Sequence, residues 1–353
     1  MTRRVLITGI GGNVGQGVLK ALRAGHESYH VVGIDMEPLS AGFSLVDKYY
    51  QTPRTGDAAF QKAFGAIVSD EAIEAVYVCS PTELEFFASH KDELGTTVLV
   101  NPLPVVRIGS DKLKTAEFLR DHGFCFPETV AADDDNGIEA LIAKHGLPVI
   151  VKPRAGFSSR NVFLVDSREK IRAAATLVPD LIVQQYLPDD RAEYTAATLS
   201  GADQKVRALI IFRRDLIQGT TYRTELVEDS NLEREVVRIT EALGAVGPCN
   251  LQFRVVDGMV YVFEINPRFS GTSGVRYLYG FNDCEMAFDL LHLKTEVTQP
   301  TLNKAVVLRY WNEICIPNAG FEDLREGRAK HDGYETVIAT KGTKSSNKGS
   351  AGF

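Results

Sequence analysis

Apolar runs and amphipathic stretches alternate over the first hundred residues. The segments VLITG and HVVGID have the pattern of buried strands, VGQGVLKALRAG has a helical pattern, and EAVYVCS and TVLVNPL are further apolar runs. Repeated strand–helix–strand units imply right-handed crossovers and therefore a parallel sheet. The pattern predicts an α/β domain with a parallel sheet over residues 1–105, ending near the two prolines of NPLPVVR.

A second region with a different pattern follows over residues 106–182. SDKLKTAEFLRDHG predicts a helix that starts after Ser110 or Asp111 as N-cap and ends before Gly123. LPVIVKP and VFLVDS predict a hairpin with the polar turn RAGFSSRN between its strands. SREKIRAAATLV then predicts a helix, and LIVQQYL predicts another strand.

From Glu193 onward the pattern is antiparallel, and it defines a third region over residues 183–300. Four segments, EYTAATLS, KVRALIIFRR, PCNLQFRVV and MVYVFEINP, predict strands, and Asp257-Gly258 predicts a tight hairpin turn between the last two. NLEREVVRITEALGAVG and EMAFDLLHLK predict helices. Residues 301–353 form a C-terminal extension whose polar tail, KGTKSSNKGSAGF, we expect to be mobile.

Composition excludes several classes of function. The net charge of −7 argues against general nucleic-acid binding, which needs a basic face. No apolar run approaches the roughly 18 residues of a membrane span, and the N-terminus lacks a signal-peptide pattern. The five cysteines are far apart and the seven histidines have no metal-binding spacing. We therefore expect a cytoplasmic protein without structural zinc, membrane or nucleic-acid partners.

The first functional hypothesis is a dinucleotide-dependent enzyme. Thr8-Gly9, Gly12 and Gly15 form a glycine turn between a strand and a helix, and Asp35 ends the second strand, where it could bind an adenine ribose. These residues fit an NAD-dependent short-chain dehydrogenase or epimerase. However, no tyrosine precedes a lysine by four residues, as the proton relay of such an enzyme requires, and the later strands are antiparallel. This hypothesis remains the alternative.

The second hypothesis starts from the predicted hairpin around Asp257-Gly258. Glu264 and Asn266 are two residues apart on one strand and so point to the same face, and Gln252 lies on the preceding strand. Side-chain oxygens of this kind suit Mg²⁺, or Mn²⁺, bound together with nucleotide phosphates. Arg268 follows, where its guanidinium could bind a phosphoryl group. Taken singly, each residue is equally well explained as a solvated strand or turn residue.

Two lysines and a turn of small residues are candidates for phosphate binding. Lys152 ends an apolar strand just before the turn, in which Gly156 supplies backbone donors and Ser158 and Ser159 supply hydroxyls. Lys112 lies in the first turn of its helix, where a cation is mildly unfavourable for the helix dipole. Such a position indicates a task other than stability, although a surface role is open for each lysine.

Polar residues at the end of the strand LIVQQYL are candidates for nucleoside binding. Gln184 and Gln185 lie where the strand meets a polar loop, so that an amide and backbone groups there could contact the adenine edge, with Leu187 against its face. Glu193 follows six residues later and could accept hydrogen bonds from the ribose hydroxyls. The alternative is that these residues cap an edge strand.

In combination, these segments resemble the ATP-grasp superfamily, and within it the branch of the carbamoyl-phosphate synthase large chain. The resemblance covers about residues 4–295 and implies an α/β plus α+β protein, in which a Rossmann-like domain without a dinucleotide precedes a two-subdomain ATP-grasp fold. The order and spacing of the segments carry it: LITGIGGNVGQGVLKAL, GIDMEPLSAGFSLVDKYY, SDKLKT, VIVKPRAGFSSRNV, VQQYLPDDRAEYT, CNLQF and VFEINPRFSGTSG.

The resemblance implies the same roles as the residue patterns above. Phosphates would be bound by Lys112 and Lys152, adenine by Gln184, Gln185 and Leu187, and the ribose by Glu193. Magnesium would be bound by Gln252, Glu264 and Asn266, and the transferred phosphoryl group by Arg268. The chain also shows departures from the family pattern. Gln185 stands where the family has an acidic hinge residue, and Phe157 and Arg160 stand where many members have glycines.

The resemblance implies a carboxylate–amine ligase that forms an acylphosphate with ATP and Mg²⁺ and releases ADP and phosphate. Lys152, Glu264 and Arg268 would act in catalysis, on small amino-acid or peptide-like substrates. A non-catalytic ATP-binding regulator is a further alternative, a homodimer is compatible with the chain, and a complete carbamoyl-phosphate synthase is disfavoured because its large chain contains two such halves. The candidates for holding a substrate carboxylate are Arg213, Arg214, Arg223, which lies in the expected loop GTTYRTEL, and Arg276.

Overall fold

The computed structural model describes residues 2–156, 161–188 and 193–315, which form three sheets. The first sheet is parallel, and its strands are β1 (Arg3–Thr8), β2 (Tyr29–Asp35), β3 (Lys48–Gln51), β4 (Ala75–Tyr77) and β5 (Thr97–Leu99). The order β3-β2-β1-β4-β5 confirms the predicted Rossmann-like domain. Its helices are α1 (Asn13–Arg23), α2 (Ala58–Asp70), α3 (Leu84–His90) and α4 (Leu103–Gly109).

The second sheet is antiparallel and has the order β6-β9-β7-β8, in which the strands are β6 (Thr129–Ala131), β7 (Val149–Pro153), β8 (Phe163–Val165) and β9 (Leu181–Gln185). The hairpin of β7 and β8 is the predicted one, and residues 157–160 at its turn lie outside the described residues. Asp111 is the N-cap of the helix that begins at Lys112, because its side chain accepts hydrogen bonds from the backbone amides of Leu113 and Lys114. The helices of this region are α5 (Lys112–Asp121), α6 (Asp135–His145) and α7 (Arg168–Leu177).

The third sheet contains six strands among the described residues, whereas the sequence predicted four. Of the two additional strands, one comes from this region and one from the C-terminal extension. The six strands are β10 (Glu193–Ser200), β11 (Val206–Ile217), β12 (Thr220–Val227), β13 (Gly247–Val256), β14 (Met259–Asn266) and β15 (Val306–Leu308). They are antiparallel in the order β14-β13-β10-β11-β12-β15. The helices are α8 (Ser230–Ala242), α9 (Ser273–Arg276) and α10 (Asp283–Leu291).

The prediction that GTTYRTEL forms a substrate loop is wrong, because strand β12, Thr220–Val227, includes this segment from Thr220 onward. Gln218 and Gly219 form the turn before it with φ of 49° and 71°, a conformation typical of a tight hairpin. Strand β15 then pairs with β12, with Arg223 opposite Leu308. The predicted mobile tail, residues 341–353, lies outside the described residues.

The parallel sheet and the third sheet share one hydrophobic core. Val5 and Val18 of the N-terminal domain belong to the same buried cluster as Phe269, just after β14, and Phe288 of α10. Burial of apolar area stabilises by about 25 cal/mol per Å², so this cluster holds the two parts together. None of the helices in the described ranges is long and apolar enough to cross a membrane.

Asn101 fixes the N-terminal domain against the strands that carry the candidate metal residues. Its fully buried side-chain amide donates hydrogen bonds to the carbonyls of Pro248 and Pro267 at 2.7 and 3.0 Å, and its oxygen accepts one from the amide of Val246 at 2.9 Å. The ends of β13 and β14 are therefore held by one side chain from outside the sheet.

Candidate active site

The hairpin of β13 and β14 brings the candidate metal residues together. Gln252 lies directly opposite Glu264 in the strand register, and Asn266 is two residues further along β14 on the same face. The Asn266 amide donates a hydrogen bond to Glu264 Oε1 at 2.9 Å, and Arg268 Nη2 donates one to Asn266 Oδ1 at 3.0 Å. These four predicted residues thus form one contiguous polar surface.

Arg214 on β11 connects two residues that the sequence assigned to different ligands. Its Nη2 donates to Gln252 Oε1 at 2.8 Å and to Glu193 Oε1 at 2.5 Å, and its Nε donates to the same Glu193 oxygen at 3.1 Å. The Arg214 side chain is only 9% exposed. It therefore links the predicted ribose carboxylate to the predicted metal site.

The two lysines reach the same region from different elements. Lys152 on β7 is buried, its Nζ donates a hydrogen bond to Gln184 Oε1 at 2.8 Å, and it lies 5.6 Å from the centre of the Phe263 ring. Lys112 at the start of α5 donates to the carbonyl of Gly156 at 3.2 Å. The predicted residues Ser158 and Ser159 lie outside the described residues.

Burial shifts the ionisation of the cations in this region. Burial lowers the pKa of Lys152 to about 8, with Glu264 acting in the opposite direction, and also lowers the pKa of Lys112 and of Arg268. Buried charges of one sign are costly unless a counter-charge is present. Glu264 supplies one negative charge near these three cations, so the region is electrostatically suited to a further anion such as a polyphosphate.

We expect MgATP binding to take up protons at pH 9 but far less at pH 7.5. Lys152, with a pKa of about 8, is largely neutral at pH 9 and largely charged at pH 7.5, and a bound phosphate favours the charged form. Affinity should therefore fall as the pH rises through 8. Titration calorimetry in two buffers with different ionisation enthalpies measures the uptake. Equal uptake at both pH values would contradict the assignment, and exposed Lys114→Met should leave the difference unchanged.

A narrow pocket of about 230 Å³ lies between the second and third sheets, and the residues predicted to contact adenine, Gln184, Gln185 and Leu187, line it. Arg254 holds the connection after β9, since its Nη1 donates to the carbonyls of Leu187 and Pro188 at 3.2 and 3.3 Å. The backbone N–H of Gln185 donates a hydrogen bond to the backbone carbonyl of Glu128. The apolar lining side chains are Ile150, Val162, Leu187, Leu216 and Phe263.

Gln184 lines this pocket, but both ends of its side-chain amide are used within the protein. Its oxygen accepts the hydrogen bond from Lys152, and its nitrogen donates to Thr129 Oγ1 at 2.8 Å. The observed task of Gln184 is therefore to orient the lysine. The predicted contact with adenine stays a prediction.

The hairpin of β13 and β14 carries the candidate metal residues and is called the metal hairpin below. A second, wider cavity of about 1170 Å³ extends from this hairpin to the carboxyl end of the parallel sheet. Arg214, Gln252 and Glu264 border both cavities, so the two adjoin at the candidate metal site. Open α/β sheets bind ligands in the crevice at the carboxyl ends of their strands. The sequence did not predict this cavity, because its walls come from segments about 200 residues apart.

Among the four arginines proposed for a substrate carboxylate, Arg214 lines the wider cavity. The proposal for Arg276 is wrong. This residue is 1% exposed and forms an ion pair of 2.5 Å with Asp283, and it also donates to Asn250 Oδ1 at 2.6 Å. It supports the chain behind the metal hairpin. Arg223 on β12 pairs with Asp215 on the neighbouring strand β11 at 2.7 Å.

The glycine turn after β1 is stabilised by close backbone packing and by a carboxylate from β2. Gly9 has φ of 55°, and a Cβ on Gly15 would lie 2.6 Å from the Gly9 carbonyl oxygen, so only glycine fits at that close approach. Asp35 Oδ2 accepts a hydrogen bond from the amide of Gly11 at 2.8 Å. The carboxylate that the dehydrogenase hypothesis assigns to a ribose therefore stabilises the turn instead.

Comparisons with known proteins agree with this geometry. The family model of the ATP-grasp domain matches residues 109–272, and the family model of the PylC-like N-terminal domain matches residues 5–99. The carbamoyl phosphate synthase large chain of Thermotoga neapolitana is 25% identical over 299 residues, which cover 76% of this chain and 26% of that protein. The chain thus spans about a quarter of the length of this relative.

Solved structures share the fold at low sequence identity. N5-carboxyaminoimidazole synthetase from Staphylococcus aureus, solved with ADP, has a TM-score of 0.70 at 16% identity and covers 88% of this chain and 83% of its own. An L-amino acid ligase from Bacillus licheniformis has a TM-score of 0.65 at 18% identity and covers 92% and 85%. The chain therefore carries an ATP-grasp domain behind a PylC-like N-terminal domain and is a distant homologue of the carbamoyl phosphate synthase large chain.

Proposed function

We propose that the chain is an ATP-dependent carboxylate–amine ligase that activates a small amino-acid or peptide-like carboxylate and releases ADP and phosphate. The adjacency of the two cavities at Arg214, Gln252 and Glu264 carries this proposal. A nucleotide in the narrow pocket would direct its terminal phosphate toward the wider cavity. Phosphoryl transfer to a second substrate requires such an arrangement, because the reacting atoms must approach to about 3–3.5 Å.

The chemistry follows from the poor reactivity of carboxylates. A carboxylate does not react with an amine at neutral pH, because an oxide ion would have to leave. Transfer of the γ-phosphoryl group of ATP to a carboxylate oxygen gives an acylphosphate, and attack by the amine then releases phosphate. The protein aligns the reactants and offsets charge. Lys112, Lys152 and Arg268 would offset the negative charge on the transferring group.

The side chains on the hairpin are chemically suited to Mg²⁺. Gln252, Glu264 and Asn266 offer one carboxylate and two amide oxygens on one face, and hard oxygen donors are those that Mg²⁺ prefers. The described residues contain no group of three or more histidines, cysteines or acidic residues suited to a metal. This favours an ion that takes most of its ligands from nucleotide phosphates. When bound, Mg²⁺ would neutralise phosphate charge.

The alternative of a nucleotide-binding regulator needs the narrow pocket but not the wide cavity. The wide cavity borders Glu264, Asn266 and Arg268, beside the expected position of the terminal phosphate. A regulator has no use for space at this position, whereas a second substrate requires it. The adjacency of the two cavities therefore favours an enzyme.

The test compares ligands by thermal unfolding. We expect MgATP at a hundredfold excess over its Kd to raise Tm by on the order of 5 °C, and NADH to cause no shift. A shift with NADH alone would overturn the proposal in favour of a dehydrogenase. A screen for ADP release over pairs of small carboxylates and amines then separates an enzyme from a regulator, which would bind MgATP without turnover.

A further inference from the structure

The wide cavity contains an acidic residue that the proposed chemistry does not use. Glu83 lies at the carboxyl end of the parallel sheet, immediately before α3, and lines this cavity. Its Oε1 accepts a hydrogen bond from Thr55 Oγ1 at 3.2 Å, and the hydroxyl of Thr8 also donates to its carboxyl group. Its Oε2 is buried and has no hydrogen-bond partner within the described ranges.

A buried carboxylate oxygen without a partner is unfavourable. Leaving a buried polar group unpaired costs about 1–3 kcal/mol, and more for a charged group. Burial raises the pKa of Glu83 to about 7, and the negative charge of Asp35 adds to the effect. Asp35 itself accepts hydrogen bonds from the amides of Gly11 and Glu37. Glu83 is therefore the carboxylate of this pair with an oxygen left to accept a donor.

The charges on the opposite wall of the cavity have the other sign. Arg268 and Arg214 face the cavity near the metal hairpin, and Arg309, which follows β15, lines it as well. Arg309 donates to Asn13 Oδ1 at 3.3 Å and to the carbonyl of Gly271. The cavity is thus basic beside the expected phosphate, and at the end of the parallel sheet it carries the carboxylates Asp35, Glu37 and Glu83 with one cation, Arg54.

Glu83 and Arg268 line one cavity, together with the buried thiol of Cys79, which follows β4. A ligand held in this cavity can therefore meet a carboxylate at the parallel sheet and a guanidinium beside the hairpin of β13 and β14.

We propose that Glu83, with Thr8 and Thr55, forms a subsite for the ammonium group of a substrate whose carboxylate lies at Arg268. The substrate class is then an aminocarboxylate. An ammonium group would donate to the unpaired Glu83 oxygen, and a charge-assisted hydrogen bond of this kind is stronger than a neutral one. The inference rests on the proposed function, since it takes activation of the carboxylate to occur beside Arg268.

The experiment compares ligands that differ by one ammonium group. Titration calorimetry of the full chain, with and without saturating MgADP, uses three pairs: alanine with propionate, 4-aminobutyrate with butyrate, and 6-aminohexanoate with hexanoate. We expect at least one aminocarboxylate to bind about tenfold more tightly than its partner, the value of one hydrogen bond to a charged group. In Glu83→Gln the preference should disappear, while the Kd of the plain carboxylate stays the same.

Glu85→Gln is the matched control, because Glu85 lies two residues away on α3, is exposed and pairs with Arg107 at 2.8 Å. This variant should keep the preference. The subsite is disproved if no pair discriminates, or if Glu83→Gln keeps the wild-type preference. Failure of MgADP to bind would overturn the proposed function instead, and the titrations without nucleotide would still report on the subsite.

Discussion

Glu264→Gln is expected to abolish ADP formation, with kcat lowered at least about a hundredfold, while the protein stays folded. Glu264 is the carboxylate of the candidate metal set, lies opposite Gln252 and accepts a hydrogen bond from Asn266. The substitution keeps the shape of the side chain but removes the charge that holds a divalent cation. It also removes a negative charge that acts on Lys112, Lys152 and Arg268.

ADP release measured with a coupled assay reports the effect, and thermal unfolding checks the fold. Glu228→Gln is the control, because Glu228 is 53% exposed and pairs with Lys304 away from the cavities. Raising the Mg²⁺ concentration should recover part of the activity of the Glu264 variant. Normal turnover by that variant would show that the metal assignment is wrong.

Lys152→Met is expected to lower kcat/KM for ATP at least about a hundredfold but to change the free energy of unfolding by less than about 2 kcal/mol. Two effects on stability oppose each other. Replacing a buried charge by an apolar side chain of similar volume is often neutral or stabilising. Against this, Gln184 Oε1 loses its hydrogen-bond donor, and a buried acceptor without a donor costs about 1–3 kcal/mol.

The pH dependence of unfolding separates these effects. The pKa of Lys152 is about 8 in the folded protein and near 10.5 in the unfolded chain. Between these values the unfolded state binds more protons, so the wild type gains stability relative to Lys152→Met as the pH rises from 8 toward 10.5. Denaturant unfolding at several pH values measures this. A constant difference between the proteins would contradict the lowered pKa, and Lys114→Met should follow the wild type.

The local part of the site could be predicted from the sequence. The period of two along a strand places Glu264 and Asn266 on one face, and the turn at Asp257-Gly258 predicts that the strand carrying Gln252 pairs with theirs. The exact pairing of Gln252 with Glu264 depends on a bulge between Gln252 and Phe253, which the turn alone does not predict. The alternation of apolar runs likewise predicted the parallel sheet. In these cases neighbours in the chain are also neighbours in space, so the spacing determines the geometry.

The remaining contacts depend on packing between distant segments. Nothing in the spacing of Arg214 indicates that its guanidinium binds both Glu193 and Gln252, because strand order decides this contact. Glu83 and Arg309 carry no motif, and they meet one cavity only because the N-terminal sheet and the C-terminal extension both fold against the hairpin. Arg276 was misinterpreted for a different reason, since its partner Asp283 is only seven residues away, but the spacing does not show that both side chains are buried.

The hydrophobic core shared by the parallel sheet and the third sheet has a consequence for how the chain folds. Family descriptions divide the chain between residues 99 and 109, but Phe269 and Phe288 are buried against Val5 and Val18 from the other side of that boundary. Each part also has a core of its own, around Phe64 in the first and around Phe253 in the second, but one face of the parallel sheet is buried only by the shared cluster. We therefore expect loss of either part to expose apolar surface of the other and to couple their unfolding.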